Sequence, residues 1–235
     1  MVTDCIWEHN GGDSIIYSGE YIGAYARGES REAAMAKMPG ELRSYCNWLG
    51  MPAPTEYDFY ISQEKPSELE IKDADSDVIF RSEEIALSLE EYNMLKSLAL
   101  KSASDFISLY EAIPDRDNSC LPPRKTFYGA VPRTAREMYE HTKNVNAYYF
   151  GEIGVETDNE GSILECRIRG FELLEEKPDF LENRVFDGSY GEQWSLRKLL
   201  RRFVWHDRIH AKAMYRMALK TFPDAFIPNV FKFDI

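Results

Sequence analysis

The chain has 235 residues, 44% apolar and 29% charged, with 40 acidic against 28 basic side chains and a formal charge of −12. That is the make-up of a globular protein of one large or two small domains, and its acidic excess repels phosphate backbones, which sets nucleic acid aside as a partner. No apolar run approaches the ~20 residues of a membrane span, MVTDCIWEH carries no basic-then-apolar leader, and Cys5, Cys46, Cys120 and Cys166 lack metal-ligand spacing, so a cytoplasmic protein with reduced thiols is expected.

Residues 1–63 form the first patterning regime. Ile6-Trp7 and Ser14–Tyr17 are strand-like runs joined by Asn10-Gly11-Gly12, and Tyr21–Ala26 predicts a third strand ended by Arg27-Gly28. Ser30 is placed to N-cap a helix reaching Leu49, with Gly50 beyond its end and Pro39-Gly40 as a kink or split. Tyr57–Ile61 predicts a further strand. The order β-β-β-α-β implies a small α+β domain with a helix over a sheet. The segment Gly23-Ala24-Tyr25-Ala26-Arg27-Gly28-Glu29-Ser30-Arg31-Glu32-Ala33 resembles the strand–turn–helix of the HicB-like antitoxin domain. The resemblance implies a protein partner bound through this domain.

Residues 64–87 are acidic and poorly periodic, which predicts a linker or a short hairpin between two independently folding parts. Within them Asp73, Asp75, Asp77 and Glu84 fall at positions 1, 3, 5 and 12 of a calcium loop. Position 6, where the turn needs glycine, is Val78, so a solvated acidic turn is expected instead.

From Ser88 the pattern is helical. Ser88-Leu89-Glu90-Glu91, Thr134-Ala135-Arg136-Glu137 and Ser162-Ile163-Leu164-Glu165 are capping boxes, predicting helices to about Ile153, Lys177 and, for the first, Ile113. Ser195 caps a fourth helix that runs through WSLRKLLRRFVWHDRIHAKAMYRMALKTF without proline or glycine. Four amphipathic helices over 88–235 imply an all-α four-helix bundle. The links at 114–133 and 178–194 are long for hairpins and predict a crossover or a wall of a site.

His206 and His210 stand four residues apart in the apolar stripe of the last helix, so both imidazoles leave one face. His141 falls in the row Met138, His141, Val145, Tyr148, which helical spacing makes the inward face of the second bundle helix. His9 is expected to be merely exposed. Three converging imidazoles in an apolar core call for a common ligand, because an unpaired buried nitrogen costs ~1–3 kcal/mol. Three histidines with one open position is the pattern of catalytic zinc, and imidazoles suit nickel, copper and iron as well. Binding needs neutral rings, so affinity is expected to fall toward pH ~6. Glu137 and Asp207 are candidates to orient the imidazoles and Tyr148 to line the pocket. Arg201, Arg202 and Arg208 are candidates to hold an anionic substrate, against a bland reading as solvated or paired charges. A zincin protease fits less well, since Asp207 stands where that motif needs glutamate and no third ligand follows His210.

The histidine on the second bundle helix, His206-Asp207-Arg208-Ile209-His210 on the fourth, and the lead-in Trp194-Ser195-Leu196-Arg197-Lys198-Leu199-Leu200 together resemble the DinB/YfiT-like superfamily. The resemblance implies a four-helix bundle whose central divalent ion, zinc, nickel or similar, is held by His141, His206 and His210. It also implies a small-molecule substrate and a low-molecular-weight thiol activated by the metal. The expected function is therefore a metal-dependent transferase or hydrolase. The alternative is a non-enzymatic interaction protein in which the first domain binds a partner and the bundle is scaffold. A homodimer is left open.

Overall fold

The computed structural model describes residues 2–71, 76–126 and 129–235. It is a mixed α/β protein. Strands β1 (Val2–Asn10), β2 (Asp13–Ser18) and β3 (Tyr25–Gly28) precede a short helix α1 (Arg31–Met35), helix α2 (Met38–Leu49) and strand β4 (Asp58–Pro66). The sheet order is β3-β2-β1-β4, antiparallel except for the parallel β1/β4 pair, whose register shifts at Cys5/Ile6. Gly11 and Gly12 form the β1–β2 turn, and Gly11 takes a φ of 59° that other residues rarely adopt. Ser30 accepts a hydrogen bond from Ala33 N and caps α1. The break between α1 and α2 falls at Ala36-Lys37, so Pro39 sits in the first turn of α2, where its missing N–H costs nothing. The third strand starts later than expected, at Tyr25. Tyr21–Ala24 form a turn instead, in which Gly23 has a φ of 87° and lies against α6, where an added Cβ would meet Val204 at 2.6 Å.

Strand side chains alternate, and both faces of β1–β3 are covered, while edge strand β4 leaves residues such as Tyr60 exposed. Cys5, Ile16 and Ala26 face α2 and pack with Met38, Leu42, Tyr45 and Cys46. Ile6, Ile15 and Tyr17 face the other way and pack with Ile71, Val78, Phe80 and Trp205. The segment expected as a free linker is thus, in its described residues, a packed layer between the sheet and the last helix. Its acidity does not mark exposure, because the buried positions are the few apolar ones together with Ser76 and Glu83, both of which have polar partners. Of the calcium-loop positions, Asp73 and Asp75 lie outside the described residues. Asp77 donates its N–H to Glu8 Oε1 (3.1 Å) and Val78 is buried.

Four long helices follow: α3 (Leu89–Glu111), α4 (Ala135–Glu152), α5 (Ile163–Glu175) and α6 (Leu196–Thr221). Each of the three capping boxes closes reciprocally, the Ser or Thr oxygen accepting from the glutamate N–H while the carboxylate accepts at the cap. α3 packs on α5 and α6, and α4 packs on the same two. α4 and α5 approach closely at Gly170, where any Cβ would collide with the Phe150 ring. The two long links carry pairs of two-residue antiparallel strands, β5/β6 (Lys125–Thr126, Gly129–Ala130) and β7/β8 (Phe186–Asp187, Gln193–Trp194). The start of α6 is tied to residues 83–87: Ser195 Oγ donates to Glu83 O (2.7 Å), and Arg197 Nε donates to Ile85 O (2.8 Å). No helix among the described residues is long and apolar enough to cross a membrane.

Candidate metal centre

α4 and α6 pack together and bring His141, His206 and His210 to one place. One ligand atom from each ring lies within 4.8 Å of those of the other two. Ring centres stand 5.2 Å apart for His141–His206, 4.6 Å for His141–His210 and 4.5 Å for His206–His210. Nitrogens sharing one tetrahedral zinc stand about 3.3 Å apart, so closing on an ion draws any pair in by no more than about 1.5 Å. Among the described residues this is the one cluster of three or more potential ligands.

Burial grades across the site. His206 is buried, His210 partly so, and His141 is exposed at the edge. The inward face of α4 is Met138, Thr142, Asn146 and Tyr149, so His141, Val145 and Tyr148 lie one step round the helix from the core. That offset leaves one side of the three-ring cluster open. The opposite side is closed by the Tyr149 ring, edge-on to His206 at 6.0 Å, and by Trp194, 5.0 Å from Tyr149.

All three imidazoles are held neutral. Burial pushes His206 well below the usual range, and the nearby His210, His141, Arg202 and Arg167 add to this. Burial, then His141, pushes His210 down to about 3, and burial lowers His141. Neutral imidazole is the metal-binding form, so protonation competes at lower pH than the ~6 expected from an ordinary histidine. His206 Nδ1 is buried and has no hydrogen-bond partner. Such an atom is costly unless a ligand meets it. These residues fit a divalent ion.

The other candidates serve elsewhere. Asp207 orients a guanidinium rather than an imidazole, its two oxygens accepting from Arg167 at 2.6 and 3.0 Å with both side chains fully buried. Glu137 accepts from the N–H groups of Arg133 (2.8 Å) and Thr134 (3.1 Å) and is the capping-box residue of α4. Arg208 is buried and donates to Glu41 on α2 (2.6 Å). Tyr148 is half-exposed with its ring 6.0 Å from Trp194. Arg201 pairs with Glu83, and Arg202 donates to Ser76 O (2.7 Å). His9 is not simply exposed: it stacks on Trp7 at 4.0 Å and bonds Glu64 Oε1 at 3.0 Å.

Arg167 and Asn146 are the residues that the sequence reading missed. A signal was there: Arg167 stands in the row Ile163, Arg167, Gly170, Phe171, Leu174, a charge at core spacing in an otherwise apolar stripe. None of the family models, curated proteins or solved structures compared with the chain matches it significantly.

Proposed function

We propose that His141, His206 and His210 hold one divalent ion and that the chain is a metal-dependent enzyme acting on a small molecule, as a thiol transferase or a hydrolase. The observation that carries this reading is the convergence of three neutral imidazoles, one with an orphaned buried nitrogen. In this reading α3–α6 are a bundle of the DinB/YfiT-like type and residues 1–63 a HicB-like domain joined to it. A divalent ion held there would acidify a thiol or water and polarise a substrate oxygen. The protein supplies three neutral donors, an apolar wall of Tyr149 and Trp194 that excludes water from the inner side, and an open edge at His141 for a fourth ligand.

The reading as an interaction protein draws less support. A sheet offered to a partner face-on needs a free face, and here β1–β3 are covered on both faces by this chain, one by α2 and the other by Ile71, Val78, Phe80 and Trp205.

Elemental analysis of protein purified without a histidine tag tests the proposal. One equivalent of metal is expected in the wild type and in His9→Ala, and little in His206→Ala. A chelator should lower the melting temperature of the wild type and leave His206→Ala unmoved, since binding to the folded state is linked to stability. Equal metal content and equal chelator response in wild type and His206→Ala would mean that the three histidines are core residues only.

A further inference from the structure

The Arg167 side chain, on α5, grips all four long helices. Nη1 donates to Ala99 O on α3 (2.9 Å) and to Asp207 Oδ2 on α6 (2.6 Å). Nη2 donates to Asp207 Oδ1 (3.0 Å), and Nε donates to Asn146 Oδ1 on α4 (3.1 Å). The guanidinium also lies over Phe203, 4.1 Å from the ring centre, and the whole group is out of contact with water.

A buried ion pair is a poor source of stability, because removing two charges from water offsets most of their attraction. What such a pair does supply is geometry. The planar fork of arginine fixes direction in a way that a lysine ammonium cannot. Asp207 is the residue directly after His206 and three before His210, so holding its carboxylate fixes the rotation of α6 about its own axis. Asn146 does the same for α4, which carries His141. Ligand atoms stand ~6 Å from a helix axis, so a 20° rotation displaces them by about 2 Å. Metal–ligand distances tolerate about a tenth of that.

We propose that Arg167 is a positioning residue for the three-histidine centre, holding α4 and α6 at the rotation that lets His141, His206 and His210 share one ion. The inference rests on the metal reading above. It acts through Asp207 and Asn146, and Arg167 itself touches no imidazole.

The test uses the full chain, stripped of metal and titrated with cobalt(II), whose visible absorption reports coordination number and symmetry. Two variants are compared with the wild type. Arg167→Lys keeps the charge and loses the fork. The double variant Arg167→Met, Asp207→Leu removes both charges together and leaves neither uncompensated. The metal-free melting temperature of the double variant is expected to stay close to that of the wild type. Its cobalt affinity is expected to fall about 10- to 100-fold, with weakened or shifted bands, as when groups that orient metal ligands are lost. Arg167→Lys should fall between the two. Variants that fold and bind cobalt with wild-type affinity and spectrum overturn the assignment. So does failure of both variants to fold, which would make Arg167 a stability element. If the wild type binds no cobalt, the metal reading fails and takes this inference with it. If the wild type binds and the variants match it, only this inference fails.

Discussion

At the scale of single residues, the three imidazoles share one electrostatic problem. A protonated ring in this site loses hydration and faces two neighbours of its own kind, so the folded chain holds the rings neutral. The unfolded chain titrates near 6.5, and the folded His210 near 3. Between those values the unfolded state binds more protons, so stability is full above ~6.5 and is lost as the pH falls through that window. Glu8 acts in the opposite sense. Burial lifts its carboxyl to about 7, so its contribution is present at low pH and is lost as the pH rises toward 7. The two are separated by comparing metal-free wild type with His210→Leu in urea unfolding at pH 7.5, 6 and 5. The wild type should lose up to about 1.4 kcal/mol more per pH unit below 6.5 than the variant. Equal slopes would show that His210 is not depressed. The histidines were legible because spacing of four on a helix fixes a shared face. The roles of Asp207 and Arg208 were not, because their partners Arg167 and Glu41 lie on other elements and leave no local pattern, whereas Glu137 closes the capping box written in its own segment.

Among the elements, starts were easier to read than faces. Each capping box is a local bargain between four consecutive residues, and α3, α4 and α5 begin where Ser88, Thr134 and Ser162 place them. The inward face of α4 lies one step from its apolar row because Thr142 and Asn146 are polar residues that the fold buries. Polarity is no guide to exposure on α6 either, where Lys198, Arg201, Arg202, Asp207 and Arg208 are all buried. Gly170 marks an element-level constraint that no periodicity reveals. Gly170→Ala is expected to destabilise by about 1–3 kcal/mol through overpacking against Phe150, despite the better helix propensity of alanine. Adding Phe150→Leu should restore part of the loss in thermal unfolding. A Gly170→Ala protein at least as stable as the wild type would place the α4–α5 contact elsewhere.

Over the whole molecule, α6 is the shared spine of the sheet and the helices. Arg208 reaches Glu41 on α2, Arg201 reaches Glu83, and Lys198 donates to Asp77 O (2.7 Å). Glu41→Gln leaves Arg208 buried beside a neutral amide, and a loss of about 3–5 kcal/mol is expected in denaturant unfolding. A chain beginning at Arg81 strips the cover from Val204 and Trp205 as well as the partner of Arg208. It is expected to lack a cooperative thermal transition, and a sharp one would show that the helices fold alone. The Glu41–Arg208 pair also spans 167 residues of sequence. A ribosome adding ~5–20 residues per second leaves Glu41 waiting roughly 10–30 s for its partner. Throughout that interval Ile6, Ile15 and Tyr17 have no Trp205 over them, so that apolar face of the nascent sheet has at most Ile71, Val78 and Phe80 as cover. Synthesis is therefore the stage at which this chain is most open to aggregation and most dependent on chaperones, and a stalled polypeptide ending before α6 should be a strong chaperone client.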